Sequence, residues 1–362
     1  MKKVLVVIST KFATYDGISS SVLNFYKNTD KNQYIIDFAS TNAILSEELK
    51  LLLNENHSKY CCLGERKKNI FIYCYRLNKL LRASNYDVIH INSNSATATI
   101  ELAIAKLNKI QKRIVHNHSC SCNHKFINWM LSPIFNLLYT KAIACSESAG
   151  NWLFPKNRFQ VINNGIDTER YRFSKNNRER IRKRFNINDS AVVLGHVGAI
   201  YKPKNHLFLI KVFSEYHQIN KNSYLLLVGD GVLRHEVENE ISRLKLTESV
   251  VLVGVQDKPE LFLSAMDYFV FPSLWEGMPL SLIEAQANGL PCFASNNIDI
   301  GVKITRNINL LPIDCGSGIW VDYLVNINKE DRLITSNRNI KAINATGFSA
   351  SENAKIIEKI YS

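Results

Sequence analysis

The chain lacks an apolar run long enough to cross a bilayer. Its most apolar stretch, Phe126 to Tyr139, is about fourteen residues with Asn128, Ser132, Pro133 and Asn136 inside it, against the roughly 20 that a spanning helix needs. The run after Met1-Lys2-Lys3 stops at Ser9, too short for a signal-peptide core, so no export is expected. A cysteine framework is also missing. Eight cysteines, at 61, 62, 74, 120, 122, 145, 292 and 315, follow no regular spacing over 362 residues, which favours reduced thiols in a cytosol. Short repeats and low-complexity tracts are absent, so any repetition lies at the level of whole domains. Acids are scarce in the first half. Residues 1–172 carry 23 Lys and Arg against 12 Asp and Glu, whereas 173–362 carry 22 against 20. Most of the net charge of +13 thus sits in the first half, which suits an anionic partner: nucleic acid, a phosphorylated ligand or an anionic membrane face. A solvated basic surface is the plainer alternative. No RNA- or DNA-binding motif accompanies the run Arg178 to Arg184, which reads as a solvated helix face, and nucleic acid is not expected as a partner.

What is present is a doubly wound pattern, twice. At 46% hydrophobic residues the chain can fill two cores. Val4 to Ile8 is a continuous apolar run of strand length, the mark of a strand covered on both faces. Asp16-Gly17 follow in a loop, then a helical pattern from Ser19 to about Tyr26. Strands are expected at 34–38, 87–91, 113–116, 141–145 and 159–162, with helical stretches between most of them. The pattern breaks at Asn163-Asn164-Gly165 and resumes with strands at 191–197, 224–228, 250–253, 268–271 and 291–294. Expected domains are 1–168, with a terminal helix at about 348–362 packing back on it, and 169–347. The fold class is α/β, two Rossmann-like domains facing across a cleft.

The strongest local signal runs from Ser273 to Pro291. Glu276 and Gly277 stand in the loop after the strand ending at Phe271, and Glu284 lies about one turn into the helix that follows. Pro279 suits a first helical turn. The N–H groups of Met278, Leu280 and Ser281, with the positive end of the helix dipole, suit a phosphate, and Gly277 admits backbone close to a ligand. The two carboxylates accept hydrogen bonds from hydroxyls, so a sugar and a ribose are natural occupants. A helix start with favourable acids and a buried Leu282-Ile283 face explains the same residues without a ligand. After the strand at 191–197 come Gly198, Lys202 and Lys204-Asn205-His206, and after the strand at 224–228 comes Gly229-Asp230-Gly231. Both groups fall at strand C-termini, where open α/β sheets bind ligands.

Glu276 and Glu284 in an E-x7-E arrangement, with Gly198, Lys204-Asn205-His206, Val228-Gly229-Asp230-Gly231 and Asn164-Gly165-Ile166-Asp167, resemble the family-4 retaining glycosyltransferases of GT-B fold, of the bacterial surface-polysaccharide type. The resemblance covers nearly the whole chain. It implies transfer of a sugar from a nucleotide-sugar donor, a UDP-sugar, to a glycan or lipid-diphosphate-linked acceptor. Glu284 would hold the ribose, Glu276 the sugar, the backbone from Gly277 to Ser281 the phosphates, and Lys204 the departing diphosphate. Gly17 would approach the donor phosphates, and His118 matches a histidine lining the reaction centre, with which His90 and His116 are easily confused. No cofactor is required, and the enzyme would work in the cytoplasm or on the anionic inner face of the membrane. Two residues depart from the family. Ala199 stands where an arginine often follows the glycine, with Lys202 the nearest substitute, and Asp16-Gly17 replaces a Gly-Gly pair.

Ala199 leaves room for a non-catalytic nucleotide-sugar-binding protein of the same fold. A sugar-nucleotide epimerase is a third reading. His116, His118, Cys120, Cys122 and His124 pack five metal-capable side chains into nine residues but lack the paired C-x2-C spacing of structural zinc sites, so no metal is expected. Phe126 to Tyr139 reads either as an amphipathic membrane-contacting segment or as a core helix pair broken at Pro133.

Overall fold

Val4 to Ile8 are fully buried and form the inner part of strand β1 (Lys2–Ile8), as a run without alternation must when both faces of a strand are covered. The computed structural model describes residues 1–13, 17–122, 124–155, 158–328 and 330–362. Among these, β1 is an inner strand of a seven-stranded parallel sheet. Its other strands are β2 (Tyr34–Ser40), β3 (Tyr60–Cys62), β4 (Val88–Asn92), β5 (Lys112–Asn117), β6 (Lys141–Ala144) and β7 (Gln160–Val161), in the order β3-β2-β1-β4-β5-β6-β7. Val6 lies opposite Phe38 on one side and His90 on the other. A second parallel sheet has β8 (Val192–Val197), β9 (Ser223–Val228), β10 (Val250–Gly254), β11 (Tyr268–Phe271), β12 (Cys292–Ser295) and β13 (Ile308–Leu311), in the order β10-β9-β8-β11-β12-β13.

The helices used below are α1 (Gly17–Asn28), α2 (Ile70–Ser84), α3 (Thr99–Leu107), α4 (Lys125–Leu138), α5 (Lys175–Arg184), α6 (His206–Ile219), α7 (Leu280–Ala287) and α8 (Ala350–Tyr361). Packing separates Met1–Gly165 with Ala350–Ser362 from Ile166–Ser349. The first unit contains the β1–β7 sheet and the second the β8–β13 sheet. In the first unit α8 packs against α1, burying Ile357 and Tyr361 in the apolar layer under β1. The Tyr361 hydroxyl meets His90 Nδ1 at 2.7 Å.

Several local expectations change. Helix α1 begins at Gly17 rather than Ser19, so Gly17 is a helix start and not a loop residue, and Asp16 lies outside the described residues. The strands β3 and β13, and the short ribbon of Phe12–Ala13 with Ala43–Ile44, carry no signature in the sequence. β3 and β13 are three- and four-residue edge strands, too short to show periodicity and paired on one side only. The 126–139 segment is not a broken pair: α4 runs through Pro133 as one helix. Nor is the 178–184 run wholly solvated. Arg182 is 1% exposed, its guanidinium 2.7 Å from Asp267 and donating to the carbonyls of Asn188, Asp189, Ala191 and Ala265. Arg178 meets the other Asp267 oxygen at 2.7 Å. A buried charge must be paired and hydrogen-bonded in this way, and the cluster fastens α5 to the start of β11.

Candidate active site

The second unit gathers its site at the C-terminal ends of β8, β9 and β11. Gly198 follows β8 and donates its N–H to Val228 at 2.9 Å, Ile200 N–H reaches Asp230 O at 3.0 Å, and Leu233 N–H returns to Ile200 O at 3.2 Å. The two glycine loops are therefore zipped together. A Cβ on Gly229, where φ is +139°, would run into the carbonyl oxygen of Gly198, and one on Gly231 into the backbone of Ile200. Glycine at 229 and 231 is thus required by loop against loop, a reason that needs no ligand. A Cβ on Gly198 would come 2.9 Å from His196 Nε2 and 3.3 Å from Lys204 Cε.

Lys204 ends a single turn, Lys202–Lys204. Asn205, at φ +55° in the left-handed region, reverses the chain into α6, and its side-chain amide donates to Pro272 O at 3.2 Å. Leu274 N–H donates to Pro203 O at 2.8 Å. These bonds fix the lysine against the loop that carries Glu276. Lys204 Nζ lies 2.8 Å from Glu276 Oε1 and 4.5 Å over the ring of Phe271. The carboxylate contact is an ion pair without hydrogen-bond geometry, so Oε1 has no hydrogen-bond donor among the described residues. Three other buried polar atoms of this segment, His196 Nε2, His206 Nδ1 and Ser273 Oγ, are likewise without a partner there. His196 and His206 meet edge to face at 4.8 Å. Burial pushes both imidazoles down, His206 to about 4, with Lys204 adding to the effect.

Helix α7 opens at Leu280 with Pro279 in the cap position, one residue earlier than a first helical turn. Leu282 N–H is taken by the Pro279 carbonyl at 3.1 Å. The N–H groups of Leu280 and Ser281 are those a helix start leaves without an intrahelical acceptor. The side chains of Met278 and Leu280 pack on the core, so these residues can offer a ligand only backbone. A Cβ on Gly277 would meet nothing within 4 Å, which leaves that approach open. Glu284 keeps different company. It is buried beside Tyr171, Arg170 and Glu260, and burial raises its carboxyl to about 7 while Tyr171 and Arg170 hold it down. Arg170 in turn pairs with Glu260 at 2.9 Å. Lys204, Glu276 and Gly198 are thus brought together, and Glu284 lies in its own buried cluster. Arg170, Tyr171 and Glu260 escaped sequence reasoning. Their one signal is that Arg170 and Tyr171 follow the Asn164-Gly165-Ile166-Asp167 motif closely.

In the first unit His118 follows β5, its Nε2 2.9 Å from Asn92 Oδ1 and its Nδ1 2.9 Å from Asn164 Oδ1. Asn92 directs its amide N–H at Val7 O, so its oxygen accepts from His118 Nε2–H. Asn164 Oδ1 accepts from the Ser21 hydroxyl at 2.9 Å and stands as an acceptor at Nδ1, so a proton taken up there would be hydrogen-bonded. Burial lowers His118 to about 4, with Asn164 opposing. His118 also lies tilted against His116 at 4.1 Å, and His116 stacks on His90 at 5.5 Å. Gly17, at the start of α1, is exposed, and a Cβ there would meet nothing within 4 Å.

Two family models match this chain: Glycosyltransferase Family 4 over residues 15–170 and Glycosyl transferases group 1 over residues 177–309. The chain belongs to glycosyltransferase family 4. Bacillus subtilis "Putative glycosyltransferase EpsF" is 29% identical over 342 residues, 89% of this chain and 87% of the relative. An Escherichia coli "UDP-Gal:alpha-D-GlcNAc-diphosphoundecaprenol alpha-1,3-galactosyltransferase" is 27% identical over 307 residues, 79% of this chain and 77% of that one. The fold of Anabaena HepE, solved in complex with UDP and glucose, matches with a TM-score of 0.76 at 17% identity over 98% of both chains. The protein is a glycosyltransferase of GT-B fold, and neither the non-catalytic reading raised by Ala199 nor the epimerase reading is favoured.

Proposed function

We propose that this glycosyltransferase builds a bacterial surface polysaccharide, moving a sugar with retention from a UDP-sugar to a glycan acceptor carried on a lipid diphosphate. The observation that carries the reading is the Lys204–Glu276 pair at the mouth of β8 and β11 beside the open Gly277 and the start of α7. The ammonium is held by a carboxylate. A diphosphate arriving at the α7 start replaces that partner, Lys204 turns its charge to the phosphates, and Glu276 is released to accept from a sugar hydroxyl. Glu284 takes the ribose hydroxyls, with Arg170 and Tyr171 keeping its carboxyl in place. The bond between the anomeric carbon and the β-phosphate oxygen breaks, the acceptor oxygen bonds to the same face of that carbon, and the acceptor's proton passes to the departing phosphate. Lys204 and the α7 N–H groups then supply electrostatic stabilisation where charge develops. His118, with both ring nitrogens engaged by Asn92 and Asn164 in the first unit, is the histidine that the family resemblance assigns to the reaction centre. Gly17, at the start of α1 in the first unit, is the residue that the family resemblance assigns to the donor phosphates. The nucleotide sugar is substrate, and the reading calls for no resident metal or cofactor. The Escherichia coli and HepE comparisons support uridine as the base, the first by its name and the second by its bound UDP. The setting would be the cytoplasm, at an anionic inner membrane face where such an acceptor resides.

The test is a thermal-shift screen of nucleotides and nucleotide sugars, followed by transfer to an undecaprenyl-diphosphate-linked acceptor. UDP and one UDP-sugar should raise the melting temperature. Glu284→Ala should leave the protein folded and abolish transfer. Full turnover by that variant, or stabilisation by a non-uridine nucleotide alone, would overturn the assignment.

A further inference from the structure

The solvent face of α4 is inverted. A surface helix ordinarily turns its apolar stripe to the core and its charges to water. From Phe126 to Thr140 the sequence has no charged residue at all. Phe135 and Leu138 face the core, and Asn128 is tied down by accepting from Ala96 N–H at 2.7 Å. Phe126, Met130, Ile134 and Leu137, at helical spacing, together with Ile127 and Trp129, are left exposed, with Phe126 at 72%, Trp129 at 73% and Leu137 at 77%. Phe126 and Trp129 lie with ring centres 6.1 Å apart, so the aromatic end of the stripe is contiguous.

Helix α3 packs against α4 on one side and α2 on the other, so the three lie side by side on one face of the β1–β7 sheet. Helix α2 continues the same character, exposing Phe71 and Tyr75 above Arg76, Lys79 and Arg82. Across residues 65–141 there are twelve Lys and Arg against three Asp and Glu. Of those three acids, Glu101 is buried and paired with Arg66 at 3.2 Å. Arg66, Lys112 and Arg113 are engaged within the protein and Lys68 meets Glu65. Arg76, Lys79, Arg82, Lys106, Lys109 and Lys125 are exposed on or beside α2, α3 and α4. The layer therefore presents aromatic and aliphatic side chains among cations with little opposing charge. No described helix is long and apolar enough to cross a membrane.

We infer that the α2–α3–α4 face docks on an anionic lipid surface, with α4 lying in the plane of the interface and its stripe from Phe126 to Leu137 sunk to the level of the acyl boundary. Charge complementarity selects this occupant. These cations attract anionic headgroups at long range, and aromatic and aliphatic side chains on a helix that carries no acid suit the wet-to-apolar gradient there. An isologous dimer would bring the same cations against themselves. The helix opens at Lys125, a short loop after His118, so docking would hold one rim of the first unit's strand ends at the surface. The inference takes its biological setting from the lipid-linked acceptor proposed above, but its physical content stands apart from it.

The experiment is flotation of the full-length protein with phosphatidylglycerol–phosphatidylcholine vesicles and with pure phosphatidylcholine, at low and high salt. The double variant W129E/L137E is compared with wild type and with V232E, a substitution at an exposed apolar residue of the second unit. Wild type and V232E should float with anionic vesicles, at least about tenfold less with neutral ones, and lose binding in high salt. W129E/L137E should bind at least about tenfold more weakly while keeping UDP affinity and melting temperature. Equal flotation of the double variant, or no flotation of wild type on anionic vesicles, would overturn the inference. A wild-type dimer that the double variant dissociates, without flotation, would overturn it by showing the face to be a self-interface. A failure of the acceptor assignment alone would leave flotation intact, so the two readings fail separately.

Discussion

Lys204 sits between two tasks. Against Glu276 it neutralises a half-buried carboxylate, and against a diphosphate it would neutralise the leaving group, so one substitution should disturb stability and turnover by different amounts. Removing a single electrostatic donor from a reaction centre typically costs 10²–10³ in kcat. Lys204→Ala should therefore lower kcat about 100-fold or more, with a fall in melting temperature from the stranded Glu276. Lys204→Arg should keep the pair and recover part of the rate. Steady-state transfer with melting curves on both variants checks this, and a Lys204→Ala enzyme slowed less than tenfold would remove Lys204 from the leaving-group site. At this scale the acid pair and the lysine were legible because their types and spacing recur in one family. The Tyr171 and Arg170 contacts to Glu284 were not, because nothing in a single sequence says which side chains meet across a hundred residues.

The element that decides the second unit's site is a pair of loops rather than a helix or a strand. The Gly198–Ile200 and Gly229–Gly231 segments hydrogen-bond to each other at 3.0 Å through Ile200 N–H and Asp230 O, leaving no room for side chains at 229 and 231. Gly231→Ala forces a methyl group against the Ile200 backbone, and overpacking of this kind costs about 1–3 kcal/mol. Urea unfolding should show that loss, and donor affinity should fall as the β8 loop shifts. A variant as stable as wild type would mean that the loops separate freely. The glycines were visible in the sequence as a turn at a strand end, but the packing of one loop against the other was not. Whether a glycine serves a ligand or a neighbouring turn depends on which loop comes beside it, a property of strand order. In the same way Arg182 reads as a surface charge in its basic run, and only the approach of Asp267 makes it a buried anchor.

Across the whole molecule, burial sets the response to acid. His90 is lowered to about 3, His118 and His206 to about 4, and His116 and His196 well below the usual value, in each case chiefly by burial. Unfolded, these five would take up protons near pH 6.5, so between that value and about 4 the unfolded chain binds more protons and stability falls as the pH falls. Glu284 runs the other way. Its raised carboxyl, at about 7, binds a proton more readily in the folded state, so its contribution is lost as pH rises from the usual carboxylate range through about 7. At pH 5 each histidine contributes a loss of about 2 kcal/mol, and five outweigh one carboxyl. Urea midpoints should drop steeply from pH 7.5 to 5.0 at unchanged m-value. A midpoint that rises toward pH 5 would contradict the neutral state of these buried imidazoles.

The amino-acid sequence alone determined the two doubly wound halves, where their central strands fall along the chain and the family, because buried parallel strands are written as unbroken apolar runs and ligand loops as local motifs. Tertiary structure decided the edge strands, the unbroken course of α4 through Pro133, the partners of Glu284 and the face that α4 turns to solvent. Each of these depends on which distant segment lies alongside, and a helix's own periodicity shows that it has an apolar stripe without showing whether a neighbour covers it.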